Sequence, residues 1–164
     1  MLIHWYRISH WCYLHHLTIL SKLLCKIQYL IFNSYLPGSC TIGKRTKLAY
    51  GGIGIVVHAR AIIGEGGVIG QGVTIGGKSG WYEVPVIGDN VHISAGTRIL
   101  GPIRIGNNVI VGANAVVVKD VPDNCIVAGI PAKIIKKGIS LKDYEGVNAL
   151  KYRADKSWPM TPEF

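Results

Sequence analysis

The sequence is short of acidic residues, and their scarcity restricts the partners the chain can have. It holds 9 Asp and Glu against 18 Lys and Arg, carries a formal net charge of +9, and has no acidic residue before Glu65. Such asymmetry is typical of proteins that meet an anionic membrane, nucleic acid or a polyanionic ligand, or of a basic surface without a dedicated partner. Because the basic residues are spread along the chain without interleaved aromatic residues, we predict no nucleic-acid partner.

Paired cysteines and long uninterrupted apolar runs are also missing. The cysteines are Cys12, Cys25, Cys40 and Cys125. They form neither a C-x-x-C pair nor a spaced set with histidine, which predicts no metal site and reduced thiols in a cytoplasmic protein. Lys22 and Lys26 share one face of the apolar segment over residues 18–32 and argue against a membrane span. No cleavable signal peptide is predicted either, because polar residues interrupt the N-terminal apolar stretch.

What the sequence has in abundance is an aliphatic residue that returns every six residues. It is clearest at Ile63-Gly64, Ile69-Gly70 and Ile75-Gly76. Neither a 3.6-residue helix nor a period-2 strand gives that spacing, which is typical of a parallel β-helix with one short strand and one turn per step. We count twelve steps, about four coils of three. Their aliphatic residues are Ile42, Leu48, Val57, Ile63, Ile69, Ile75, Ile87, Ile93, Ile99, Ile105, Val111 and Val117.

Residues 1–36 and 136–164 lie outside the repeat. The first segment predicts two amphipathic helices that cover the end of the β-helix, where an open coil would expose apolar side chains and strand edges. Peripheral membrane contact is the alternative. The second segment is a C-terminal tail with a short helix predicted within residues 140–156. The predicted fold is therefore an all-β core, a parallel β-helix over residues 37–135, with an N-terminal helical segment and a tail.

Function is expected where the six-residue period breaks, because a regular prism has no pocket. The first break lies between Leu48 and Val57 and contains three glycines that allow close approach of a ligand or a neighbouring chain. His58 follows immediately. A neutral imidazole at a cleft can take a proton from a hydroxyl group near neutral pH, so His58 is our candidate general base, with an exposed turn histidine as the alternative.

The second break inserts six extra residues between Ile75 and Ile87. Flexible glycines, Lys78 and Trp81 make this loop suited to fold over a bound ligand, and an inert bulge is the alternative. Residues 72–79 also match the phosphate-binding pattern G-x-x-x-x-G-K-[ST]. That motif needs a helix N-terminus after the loop, and no helical period follows here, so we interpret the match as accidental.

These features together resemble a known family. The repeats, the Gly-Gly-Lys-Ser-Gly loop and the closing Ala-Gly-Ile-Pro-Ala-Lys at residues 128–133 are similar to the hexapeptide-repeat acyltransferases, in particular the serine acetyltransferase branch. That branch includes O-acetyltransferases of capsule and exopolysaccharide gene clusters. The resemblance implies a left-handed parallel β-helix, a homotrimer with active sites between subunits, and acetyl-CoA as donor.

The resemblance also implies a set of cofactor-binding residues. The cations that match positions presented to the CoA phosphates are Lys119 and Lys133. The small residues that match those lining the pantetheine arm are Ala95, Gly96, Gly112 and Ala113. The residues that match the loop over the cofactor are Thr74, Gly76, Gly77 and Lys78.

The catalytic positions of serine acetyltransferases are filled differently in this chain. Tyr50 stands near the family's first catalytic histidine, Tyr35 near its partner aspartate, and Val84 at its second histidine. His58, one turn along, is then the substitute base, with Glu65, Glu83 or a backbone carbonyl as the group that orients it.

We therefore predict an acetyl-CoA-dependent O-acetyltransferase that transfers acetyl to a hydroxyl group of a sugar in capsule or exopolysaccharide synthesis. The expected partner is accordingly a hydroxyl-bearing small molecule or sugar acceptor. One alternative is serine O-acetylation in cysteine biosynthesis, and another is a non-catalytic β-helix that binds or scaffolds. The expected location is the cytoplasm, with the inner face of the membrane left open.

Overall fold

The structure, a computed structural model, describes residues 1–141 of the chain. These residues form two helices followed by a series of very short strands. In chain order the elements are α1 (Leu2–Leu14), α2 (Thr18–Phe32), β1 (Thr41–Ile42), β2 (Lys47–Leu48), β3 (Val56–Val57), β4 (Ile62–Ile63), β5 (Val68–Ile69), β6 (Thr74–Gly76), β7 (Val86–Ile87), β8 (His92–Ile93), β9 (Arg98–Leu100), β10 (Arg104–Ile105), β11 (Ile110–Val111), β12 (Val116–Val117), β13 (Cys125–Gly129) and β14 (Ala132–Lys137). The helix predicted within residues 140–156 lies almost wholly outside the described residues.

The strands stack into a three-sided column. Face 1 has the order β1-β4-β7-β10, face 2 the order β14-β13-β11-β8-β5-β2, and face 3 the order β12-β9-β6-β3. From β1 to β12, every third strand therefore joins the same sheet, and all pairings are parallel except that of β13 with β14. This is the predicted parallel β-helix of about four coils.

The inside of the column is filled by the twelve repeat residues. Each is the inward-facing residue of its strand, and all are buried except the half-buried Leu48. Except at Ser79 in the inserted loop, the residue four positions later is buried as well, as Val91, Thr97 and Val109 illustrate. Buried aliphatic side chains contribute roughly 1.5–3 kcal/mol each to the free energy of unfolding, so the stacked Ile and Val account for most of the stability of the column.

Three edges join the faces, and each edge stacks the turns of successive coils. The ladder edge, between faces 1 and 2, contains turns 43–46, 64–67, 88–91 and 106–109. The small-residue edge, between faces 2 and 3, contains turns 70–73, 94–97 and 112–115. The loop edge, between faces 3 and 1, contains turns 58–61, 77–85, 101–103 and 118–120.

The helix pair covers the first coil, as predicted. The buried Tyr6 hydroxyl donates to the carbonyl of Cys40 at 2.7 Å and accepts from the amide of Ile42 at 3.0 Å. Arg7 donates to the carbonyls of Ile42 and Gly43. The polar edge of β1 is thereby satisfied by side chains of α1, and burial raises the pKa of the Tyr6 hydroxyl far above its usual value.

Burial also disfavours the thiolate form of Cys40. All four cysteines are free and buried, and burial raises the pKa of the Cys40 thiol to about 12.

At the other end of the column, β14 pairs antiparallel with β13 and continues to Lys137, two residues beyond the boundary expected at 135. Within residues 1–141, no helix has both the length and the apolar character needed to cross a membrane.

Candidate active site

The loop edge brings together His58, the inserted loop and Lys119. His58 directly follows β3, where its amide donates to the carbonyl of Ile75 at 2.8 Å and its carbonyl accepts from Ala61 at 3.0 Å. The first turn of this edge therefore lies directly above the point where the inserted loop leaves β6. Because Lys119 follows β12, three coils beyond His58 on the same edge, all three lie on one side of the column.

The half-buried ring of His58 faces the start of the inserted loop. A methyl group at Gly77 would lie 3.7 Å from Cδ2 and 3.8 Å from Nε2 of His58, and 3.4 Å from Cγ1 of Val84. By the resemblance, Val84 is the position of the family's second histidine. His58 and Val84 thus both lie near Gly77, His58 on the coil above and Val84 on the loop itself.

One ring nitrogen of His58 already has a partner. The amide of Arg60 donates to Nδ1 at 3.2 Å. In the neutral ring this arrangement leaves the proton on Nε2, the nitrogen that faces Gly77. Nε2 can accept a proton only after the ring proton moves to Nδ1 and the Arg60 bond is released, which costs about 0.5–1.5 kcal/mol.

The expected acidic partners of His58 lie elsewhere in the chain. Glu65 is on the ladder edge, where its carboxylate pairs with Arg45 at 3.4 Å. Glu83 is an exposed residue of the inserted loop. Within one chain, therefore, the contact made by the His58 ring is with the backbone amide of Arg60, and Glu65 of the same chain lies on a different edge.

Below His58, the loop edge is hollowed into a groove of about 760 Å³. Its apolar wall and its cations come from three successive turns of the edge. The lining residues are Gly77, Lys78, Trp81, Leu100, Gly101, Pro102, Ile103, Val118, Lys119 and Asp120. An apolar channel with Lys78 near one end and Lys119 near the other suits a long ligand that has an aliphatic arm and anionic groups.

Aromatic–cation contacts hold the inserted loop. The guanidinium of Arg60 lies 4.2 Å from the ring centroid of Tyr82 and donates to the Tyr82 carbonyl. The ammonium of Lys78 lies 5.6 Å from the Trp81 ring centroid, and the Trp81 amide donates to the Lys78 carbonyl at 3.1 Å. The loop returns directly to β7 without a helix, so the phosphate-loop match at residues 72–79 lacks its helix, as predicted.

A second group of predicted site residues lies on the small-residue edge. It consists of Ala95, Gly96, Gly112, Ala113 and Lys133. A methyl group at Gly112 would approach the Cβ of Ala128 to 2.7 Å, and Ala128 pairs with Lys133 across the β13–β14 hairpin. Close stacking of the turns therefore requires the small residue at 112.

The structure does not bring the two groups together within one chain. His58, Gly77, Lys78 and Lys119 lie on the loop edge, and face 3 separates them from the small-residue edge. Thr74 and Gly76 belong to β6 in face 3, where Thr74 lies between Val56 and Arg98.

The first break has a structural role that the sequence did not reveal. Tyr50 and Gly51 have positive φ values of 49° and 74° in a tight turn, and a methyl group at Gly52 would come within 2.5 Å of Leu2. The expectation that these glycines admit a ligand or a neighbouring chain is wrong for Gly52, because it accommodates helix α1 of the same chain.

Sequence reasoning also missed Arg60, Tyr82 and the residues of turn 101–103. Turn 101–103 could have been found by counting, because every third step returns to the same edge.

A further cavity of about 590 Å³ lies between α2 and the chain that leads into β1. Lys22, Lys26 and Ala59 are among its lining residues, and Ala59 directly follows His58.

Comparison with known proteins gives a consistent family. The family model described as bacterial transferase hexapeptide (six repeats) matches residues 85–119. The chain is 36% identical over 132 residues to a serine acetyltransferase of Synechococcus elongatus, an alignment that covers 79% of this chain and 54% of the relative. The chain thus spans about half the length of the curated relatives it matches.

Solved structures agree with the sequence matches. A serine acetyltransferase of Neisseria gonorrhoeae in complex with serine is 38% identical, with a TM-score of 0.76 over 80% of this chain and 54% of that one. A serine acetyltransferase of Brucella abortus in complex with coenzyme A is 33% identical, with a TM-score of 0.79 over 84% of this chain and 56% of that one. These likenesses are consistent with the expected left-handed hand of the β-helix.

Proposed function

Because the chain belongs to the hexapeptide-repeat acyltransferases, we propose that it transfers an acetyl group from acetyl-CoA to a hydroxyl group. The observation that carries this proposal is the groove on the loop edge, which extends from Lys78 to Lys119 and includes Gly77, the residue beside the His58 ring. Its apolar wall suits the pantetheine arm and its two lysines suit the phosphates of CoA. Structures of relatives described as complexes with CoA support the same donor.

In the proposed reaction, His58 acts as general base. Its ring proton moves to Nδ1, and Nε2 takes the proton of the acceptor hydroxyl as the oxygen attacks the thioester carbonyl. A backbone N–H of the loop edge stabilises the oxyanion of the tetrahedral intermediate. When the carbon–sulfur bond breaks, the imidazolium returns its proton to the CoA sulfur, so the enzyme ends as it began and the products are an acetyl ester and CoA.

The acceptor we propose first is L-serine. The relatives named above are serine acetyltransferases, and one structure carries serine. A sugar hydroxyl is the second candidate, because Tyr35, Tyr50 and Val84 replace the residues that the serine-specific branch carries at its catalytic positions. Consumption of acetyl-CoA with L-serine, compared with nucleotide sugars and oligosaccharides, distinguishes the two acceptors.

We further propose a homotrimer in which the loop edge of one subunit faces the small-residue edge of the next. This arrangement would bring Ala113 and Lys133 of one copy to the groove of another, which a single chain cannot do. The test mixes two inactive variants, His58→Ala and Ala113→Trp. If sites lie between subunits, random mixed trimers regain about a quarter of wild-type activity, since each site has one chance in two of receiving each intact edge.

The decisive test of catalysis is His58→Ala in the full chain. We expect turnover to fall by orders of magnitude while acetyl-CoA binding, measured by calorimetry, is retained. Retained turnover would exclude His58 as base. Absence of acetyl-CoA binding by the wild type would favour a non-catalytic β-helix instead.

The cytoplasmic localisation of the protein stays a prediction.

A further inference from the structure

Helix α2 buries a narrow stripe of small or polar side chains and leaves most of its large apolar residues exposed to solvent, while Leu24, Ile27 and Phe32 are half-buried. The side chains it buries are Ser21, Cys25 and Gln28. Its most exposed side chains include Ile19 at 84% and Leu30 at 80% of their full accessibility. This is the reverse of the usual arrangement for a helix that packs on a protein core.

Specific contacts fix that orientation. The Ser9 hydroxyl lies 3.1 Å from both the carbonyl and the hydroxyl oxygen of Ser21, and a methyl group at Gly38 would come within 2.5 Å of the Ser9 carbonyl. The Gln28 side-chain amide donates to the Leu36 carbonyl at 3.2 Å. Rotation of α2 to bury its apolar side would break these hydrogen bonds and force larger side chains into a space that accepts only small ones.

The exposed apolar surface continues onto α1. We define the outer helical face by six of the large apolar residues of α1 and α2 that are at least half exposed. They are Ile8, Trp11, Leu14, Ile19, Leu23 and Leu30. Single exposed apolar residues are ordinary, whereas a row of this kind on adjacent helices marks an interaction surface.

The charge around this face limits what can cover it. Residues 1–64 contain seven basic residues and no acidic one. Lys22 and Lys26 are exposed on α2, one turn apart and beside Leu23. If two copies met through this face, these lysines would be brought together without an acidic residue of the first 64 to pair with them, which is unfavourable.

We propose that the outer helical face docks on the surface of an anionic lipid bilayer. Apolar side chains of an interfacial helix enter the boundary between headgroups and acyl chains, and lysines at its border pair with anionic headgroups. Trp11 is of the type that favours this interfacial depth. The helix pair then has two functions: its inner side caps the first coil, and its outer side holds the column at the membrane.

The test measures sedimentation of the full chain with vesicles of phosphatidylcholine alone or mixed with phosphatidylglycerol. We expect binding to the mixed vesicles that weakens as salt is raised. The variant Ile19→Ser/Leu23→Ser/Leu30→Ser should lower the affinity more than about tenfold, and Lys22→Gln/Lys26→Gln should lower it and reduce the salt dependence. All five positions are exposed, so the melting temperature is expected to stay near that of the wild type.

A matched control removes equally exposed apolar residues elsewhere on the column. Ile62→Ser/Ile130→Ser/Ile135→Ser should bind vesicles as the wild type does. Trp11 gives a second readout, because its fluorescence should shift to the blue on vesicle addition and the shift should vanish in Trp11→Phe.

Three outcomes would overturn the proposal. One is equal sedimentation with both vesicle types, and another is an unchanged affinity of the Ile19/Leu23/Leu30 variant. The third is absent vesicle binding together with a change of that variant's oligomeric state in ultracentrifugation, which would identify the face as a contact between copies.

Discussion

The ladder edge and the loop edge are built from the same six-residue step, yet they differ in every other respect. On the ladder edge, Asn90, Asn108 and Asn124 share a left-handed conformation with φ values of 55–56°. Their side-chain amides form a chain across the coils, from Asn90 to Asn108 at 3.3 Å and from Asn108 to Asn124 at 3.0 Å. The oxygen atoms of Asp89, Asn107 and Asp123 accept backbone amides of the preceding coil.

The loop edge has no such regularity. Its turns differ in length, one is extended by the inserted loop, and the side chains include a histidine, two lysines and two aromatic residues. In this column, therefore, the ladder edge stabilises the fold and the loop edge holds the candidate active site. The uniform turns of the ladder edge hydrogen-bond to one another and leave no space between them, whereas the unequal turns of the loop edge leave a groove. Substitutions on the two edges should therefore give opposite phenotypes.

The sharpest contrast is expected at histidine. His58→Ala should lower kcat by about 10²–10⁴-fold, since that is the usual contribution of a general base. His92 provides the control, because it is also half-buried but lies on face 2 between Val68 and Ile110. If His92→Ala has a kcat close to that of the wild type, the fall in kcat is specific to the histidine on the loop edge. An equal fall in kcat in both variants would contradict the role of His58 as general base.

Removal of a lysine should change the KM for acetyl-CoA when the lysine lies on the loop edge, and not when it lies on the ladder edge. Lys119→Ala is expected to raise the KM for acetyl-CoA about tenfold with little change in kcat, because it removes one charge-assisted phosphate contact. Lys44→Ala removes the same charge from the ladder edge and should leave KM unchanged. Kinetics at low and high salt check the assignment, and equal KM values for the two variants would contradict it.

The ladder edge should respond in stability and not in activity. Asn108→Ala removes two side-chain hydrogen bonds and places alanine at a φ of 55°, so we expect a loss of about 1–3 kcal/mol in the free energy of unfolding with unchanged kcat. Denaturant titration measures the loss. Asn108→Gly keeps the backbone conformation accessible, and a smaller loss in that variant would separate strain from hydrogen bonding.

The smallest effect is expected within the inserted loop. Gly80 has a φ of 81° and no atom within 4 Å of where a methyl group would sit, so Gly80→Ala adds strain without a clash. We expect about 1 kcal/mol of local destabilisation, seen as a KM raised a few fold and an unchanged melting temperature. A clear fall in melting temperature would mean that the loop supports the fold and so weaken the contrast between edges.

The repeat period predicted the column well because one physical requirement governs it. Every inward position must be aliphatic or small, so Ile63, Ile69 and Ile75 reveal the strands, the turns and the phase at once. The two breaks directed attention to His58 and Lys78, which the structure places on one edge of the column. The position of Lys119 on the same edge as His58 follows from counting steps.

Other features depend on contacts between distant residues, which no local pattern encodes. The proton position on His58 depends on the amide of Arg60, and the role of Gly52 depends on Leu2, fifty residues earlier. The outward apolar side of α2 was also beyond prediction. Its pattern indicates an amphipathic helix, but the contacts with Ser9 and Gly38 determine which side of the helix faces the first coil.

The two ends of the column are closed by different means, Tyr6 and Arg7 at the first coil and the reversed strand β14 at the last. Neither closure depends on how many coils lie between them. The protein is therefore open to modular engineering: a duplicated coil of about eighteen residues inserted between β9 and β10 would lengthen the column while both terminators stay intact.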